Sequence, residues 1–87
     1  TTRYVEMYCK DGGSDKVYLI VESYTKDPKS HYSARYNTIS YYGRRGKSLR
    51  KKDYGSSHTG NHLIDSIKSE KLFKGYKIIN EYIRNNR

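Results

Sequence analysis

Tryptophan is absent from this chain, and cysteine, proline, methionine and phenylalanine occur once each. A single cysteine, Cys9, excludes an internal disulfide and a thiolate metal cage, and makes a reducing, intracellular compartment the expectation. At the end of a strand it reads as a half-buried, inert thiol. No apolar run approaches the length needed to cross a bilayer, so no membrane partner is expected. Acidic residues number nine against eighteen Lys and Arg. Neither paired carboxylates nor a Ser–His–Asp arrangement stands out, so no enzymatic activity is expected. His58 and His62 stand four apart and could share a face toward a metal, but a third ligand is missing, so no metal or other cofactor is expected. Eighty-seven residues leave room for one domain, 1–87, with one small core.

What the chain has is tyrosine and positive charge. Eleven tyrosines are expected to supply much of the core, with their hydroxyls reaching water or a backbone partner. A net charge of +9 and a pI near 9.7 favour a polyanionic partner, most often nucleic acid. An AT-rich genome enriches Lys, Asn, Tyr and Ile without any functional cause, so the distribution of the charges has to decide.

Along the chain, RYVEMYC (3–9) predicts a first strand and KDGGSDK (10–16) a turn. KVYLIVES (16–23) is apolar on both alternating faces, which suits a central strand covered on at least one side. TKDPKS (25–30) reads as a loop. HYSARYNTISYY (31–42) predicts a long strand with Tyr36, Thr38 and Tyr42 on one face and Arg35, Ile39 and Tyr41 on the other. Gly43 to Gly46 makes a turn, and 48–54 returns as the next strand. The period then changes. Ser56 or Ser57 is the expected N-cap of a helix whose apolar face is Leu63, Ile64 and Ile67, extended by Leu72. Gly60, four residues before Ile64, fits a close approach of that face to the sheet. Gly75 after Lys74 marks the helix C-terminus. KIINEYIRNNR (77–87) reads equally as a short strand or a frayed helix. The predicted class is α+β, a small antiparallel sheet of four to five strands with one helix packed across it.

The segment YYGRRGKSLRKKDY (41–54) carries the chemistry. Arg44, Arg45, Lys47, Arg50, Lys51 and Lys52 put six positive charges into nine residues, with no acid until Asp53. Such a run is often only a solvated face. On a hairpin, however, the turn and alternate strand positions can project several heads together, and a bound polyanion relieves their repulsion. Arginine pairs with phosphate in bidentate geometry, lysine adds point charge, and the flanking tyrosines offer flat surfaces to a base or sugar. RRGKS is not a phosphate-binding loop, because strand-forming sequence surrounds it and no helix follows directly.

Four blocks, in order, resemble a WGR domain, the module named for a Trp-Gly-Arg tripeptide and found in poly(ADP-ribose) polymerases and small bacterial proteins. RYVEMYCKDGGSDKVYLI resembles the family's opening hairpin. SYYGRRG resembles its signature strand and turn, with Tyr42-Gly43-Arg44 standing where the tripeptide does. Ser56 stands at the helix start, and EKLFKGY (70–76) resembles the helix end. The likeness runs from about Arg3 to Tyr76 and leaves 77–87 as a tail. Tyr42 replaces the tryptophan, and Lys47, Ser48 and Leu49 stand where the family often has a second glycine.

The resemblance implies an antiparallel sheet with one helix across it, and contact with DNA at duplex ends, nicks or breaks. By position, Tyr42 would stack on a terminal ribose or base, and Arg44 would contact phosphate or order the loop. Lys16 and Lys71 match recurring family lysines, although the Lys71 stem could equally lie along the helix–sheet seam with its charge outside. Gly43 and Gly46 read as backbone requirements rather than ligands. No polymerase catalytic region is present. The alternatives to DNA are docking on a partner domain or protein, as the family's interdomain role implies, and single-stranded RNA bound through Tyr36 or Tyr41 of the sheet.

Overall fold

The computed structural model describes residues 1–26, 34–57 and 62–85. Their order is β1 (Thr2–Asp11), β2 (Ser14–Lys26), β3 (Ala34–Arg44), β4 (Arg50–Ser57), α1 (His62–Phe73) and β5 (Lys77–Arg84). The strands form one antiparallel sheet in the order β4-β3-β2-β1-β5, with α1 the helix that crosses it. β2 lies at the centre, as its apolar residues on both faces predict. The α+β architecture is therefore as expected, with five strands. Residues 77–84, for which the sequence left two readings, pair with β1 as an edge strand.

One expected boundary is corrected. Ser56 and Ser57 do not cap the helix; they end β4, where Ser56 pairs with Asn37 and Ser57 with Tyr36. Serine favours caps through local hydrogen bonds, but here the long β3 offers β4 a ladder to extend along. Gly60, His58 and most of the expected 25–30 loop lie outside the described residues.

The core is Val5 and Met7 of β1, Tyr18 and Ile20 of β2, and Ile64 and Ile67 of α1. Tyrosine contributes less than expected: among the described residues only Tyr18 is buried, while Tyr42, Tyr54 and Tyr76 pack half-buried around it. One helix on one sheet leaves a thin core, and a phenol needs a partner for its hydroxyl when buried. The rim of the core satisfies that need without burial. Leu72 was expected on the apolar face, yet it is exposed and Lys71 takes the inward position. The helical period explains this, since 64, 67 and 71 share one stripe and 72 is about 100° away from 71.

The helix ends where expected. Gly75 adopts a left-handed φ of 101°. Its N–H donates to the Leu72 carbonyl at 3.1 Å, and the Tyr76 N–H donates to the Lys71 carbonyl at 3.0 Å. This is the Schellman arrangement, and it turns the chain so that Tyr76 folds back against Tyr18.

At one side of the helix an ion cluster ties α1, β1 and β5 together. Arg3 lies 2.9 Å from Glu81 and 3.1 Å from Asp65, and Lys68 lies 3.2 Å from Glu81. Hydrogen bonds from Arg3 and then Lys68 hold the Glu81 carboxyl below the usual carboxylate range. The opposite sheet face carries Tyr4, Val17, Leu19, Val21, Ile39 and Tyr41, all half-buried, with no second layer among the described residues.

Two outcomes follow for stability. Ile64→Ala should cost about 2–5 kcal/mol in urea denaturation, whereas Leu72→Ala should stay within about 0.5 kcal/mol. Equal effects would put Leu72 in the core. Because the folded-state pKa of Glu81 is lowered, its contribution is present above the ordinary glutamate value of about 4.3 and is lost as pH falls through the folded value. Glu81→Gln should therefore lower the urea midpoint at neutral pH and flatten part of its decline in acid; an unchanged acid limb would count against the cluster.

Candidate nucleic-acid interface

The register places two cations side by side at the end of the sheet, with a third one row away. Lys16 of β2 stands directly opposite Arg44 of β3, and Arg50 of β4 stands opposite Tyr42 of β3. Strand alternation puts all of them on the face of Tyr18 and Tyr42. The strand pairing itself sets where Lys16 and Arg44 stand. Lys47 joins them from the turn. Together with the rings of Tyr42 and Tyr76 they line a cleft of about 460 Å³, and among the described residues no acidic side chain lines it.

The turn that closes this cleft depends on Gly43. Its φ is 151°, and a Cβ there would meet Leu49 Cδ2 at 3.4 Å. With Gly46, also at positive φ (84°), it lets β3 pass into the turn while Leu49 packs close. The reading of both glycines as backbone requirements agrees with this geometry. RRGKS accordingly lies at a strand end and in a turn, not ahead of a helix.

Sequence proximity did not translate into a common direction for all the cations. Arg44, Lys47 and Arg50 reach the cleft, as does Lys16 from a different strand. Arg45 turns elsewhere: its guanidinium sits 5.9 Å from the centre of the Tyr8 ring, and its N–H donates to the Asp15 carbonyl at 2.9 Å. Lys51 pairs with Tyr41 on the opposite face of the sheet. Lys52 lies over the Tyr54 ring at 4.8 Å and borders a second, neighbouring cleft. Lys71 borders that same second cleft, with its Nζ 4.6 Å above the Tyr18 ring. Its side chain is only 17% exposed. The stem lies in the helix–sheet seam, the structural alternative for this residue. Tyr36 and Tyr41 fall on opposite faces, and Tyr36 contacts Tyr24 at 5.0 Å.

Tyr42 is stacked on Tyr18 with ring centres 5.5 Å apart and planes 18° apart, so its ring is fixed before any ligand arrives. Tyr76 meets Tyr18 edge-on at 6.0 Å. Sequence reasoning did not count Tyr76 in the site. The Gly75 cap was the signal that could have found it, because a Schellman turn returns the next side chain to the helix's inner face. Among the described residues no group of three metal-ligating side chains exists; His58 lies outside them.

No protein family, curated protein or solved structure matches this chain at a significant level.

The position of Arg44 makes a prediction about stability. Arg44→Gln should leave stability unchanged to within about 0.5 kcal/mol, because Arg44 is exposed. A loss above about 1 kcal/mol would mark Arg44 as a structural residue.

Proposed function

We propose that this chain is a nucleic-acid-binding module that holds DNA at an exposed strand end, in the manner of a WGR domain. The observation that carries the reading is the cleft itself, in which Lys16, Arg44, Lys47 and Arg50 surround two tyrosine rings, with no acid among the described lining residues. Four cations on one face suit phosphate oxygens, with the arginines able to take two at once. The Tyr42 ring, pre-stacked on Tyr18, loses little freedom on meeting a sugar or base. A strand end fits better than continuous duplex, because the terminal sugar-phosphate can enter a cleft that an uninterrupted backbone only crosses. Three of the four sequence blocks that resemble WGR domains, the opening hairpin, the SYYGRRG strand and the EKLFKGY helix end, point the same way; Ser56 does not, because it belongs to β4. Nothing in the reading requires catalysis.

The test is a binding panel of single-stranded, blunt, nicked and closed circular DNA, plus RNA, at several salt concentrations. With four cations engaged, the log–log salt slope on duplex DNA should be about −3 to −4. Blunt and nicked DNA should bind more tightly than the closed circle of the same sequence. Arg44→Gln combined with Arg50→Gln should weaken binding and flatten the slope by about 2. Equal affinity for linear and circular DNA would remove the end preference, and a flat salt response would remove the phosphate grip. Docking on a protein partner through the uncovered apolar face is the second reading, and burial of Leu19 and Tyr41 against a protein would be nearly insensitive to salt.

A further inference from the structure

Tyr42 and Tyr76 each line two clefts, the basic one of about 460 Å³ and a second of about 360 Å³ between α1 and the β3–β4 hairpin. The two rings form a shared wall, so the clefts make one groove that runs from the end of the sheet along the side of the helix.

The halves differ in chemistry. Among the described residues the basic half has four cations and no acid. The second half is bordered by Tyr54, Lys52, Ser66, Glu70 and Lys71. Its one acid, Glu70, is 3.3 Å from Lys74 and 3.9 Å from Lys71. A carboxylate in a groove opposes phosphate but accepts hydrogen bonds from the amino group of a base. The Ser66 hydroxyl and the Lys52 ammonium can meet the other atoms of a base edge. Tyr54 is held in place, since its hydroxyl lies 3.1 Å from that of Tyr18 and Lys52 sits over its ring.

We infer that the groove takes an unpaired terminal nucleotide, with its phosphates in the basic half and its base in the tyrosine half. This rests on the DNA-end reading above and names its substrate class: a single-stranded overhang or frayed end rather than a blunt one. The Watson–Crick edge of a paired base is already occupied, and the space between one helix and one hairpin suits a single base rather than a base pair. Drawing a base out of a duplex has an unstacking cost that an overhang does not incur. The order of the groove also sets the geometry, because the base lies on the far side of the Tyr42–Tyr76 wall from the phosphates.

The experiment compares two DNA hairpins by fluorescence anisotropy, one with a blunt terminus and one with a short single-stranded overhang on the same stem. The intact chain should bind the overhang about 5- to 150-fold more tightly, the range given by stacking one base on an aromatic wall. Ser66 is exposed on the helix, so Ser66→Trp fills the second half of the groove without touching the core. It should bring the overhang affinity down toward the blunt value, and Lys52→Gln should also lower overhang binding. Circular dichroism confirms that each variant is folded. Equal binding of the two hairpins by the intact chain would overturn the inference while leaving the DNA-end reading standing, as would an equal loss on both hairpins in folded Ser66→Trp. No binding to either hairpin would overturn both.

Discussion

Tyr18 is the contact on which sheet, helix and cleft all depend. It stands on the central strand, buried to 4% exposure. Its ring supports Tyr42 on one side and meets Tyr76 edge-on, while the Lys71 ammonium lies above it. Its hydroxyl donates to Ser40 Oγ at 3.1 Å and lies at the same distance from the Tyr54 hydroxyl. Burial, with Tyr54 beside it, pushes the phenol up to about 12, so it stays neutral and able to donate. The sign is that of a raised acid: the contribution of Tyr18 is complete below about pH 10 and is lost as pH rises through the folded value. A phenylalanine here would fill the space and leave the Ser40 hydroxyl, fully buried, without this donor. Tyrosine at this position therefore couples the packing of the core to the placement of the two rings that wall the groove.

The parts of this fold that could be read from the sequence are those where a local pattern and the tertiary demand agree. Aromatic and β-branched residues in RYVEMYC give β1, and the apolar residues on both faces of KVYLIVES give β2 and place it in the middle. Gly75 after Lys74 gives the helix end because a left-handed residue is needed there whatever the surroundings. The failures are equally local. Serines at 56 and 57 resemble a cap only while the partner strand is unseen; once β3 extends past them, pairing wins. Leu72 is apolar but off the stripe, and an exposed leucine is ordinary in a chain with little core to offer. Composition suggested a tyrosine core, yet aliphatic side chains take most of the fully buried positions because they bring no hydroxyl to satisfy.

The candidate site shows the same division. Six charges in nine residues are plain in the sequence, and the turn at Gly43 to Gly46 is plain as well. What a linear reading could not supply is direction. Alternation separates Lys51 from Arg50 and Lys52, the turn sends Arg45 toward Tyr8, and pairing brings Lys16 across from Arg44. The cluster that results is smaller than the run that suggested it, and it draws on three strands. Tyr76 enters from a segment more than twenty residues away by sequence, a consequence of how the helix ends.

Charge is sorted along the molecule in a way that separates stability from binding. Where α1 meets β1 and β5, Arg3 and Lys68 are matched with Asp65 and Glu81, and the arrangement clamps the edge strand. At the hairpin end Lys16 and Arg44 face one another across strands, and no acid among the described residues lines their cleft. On the reading proposed above, an anion arriving between Lys16 and Arg44 would meet both charges at once. Rigidity makes this workable. The row is mounted on paired strands and the rings are stacked on a buried tyrosine, so the cations cannot relax apart without breaking the ladder between β2 and β3. A flexible loop carrying the same residues would spread its charges and lose that advantage, which is why the position of Lys16 opposite Arg44 says more about function than the length of the basic run does.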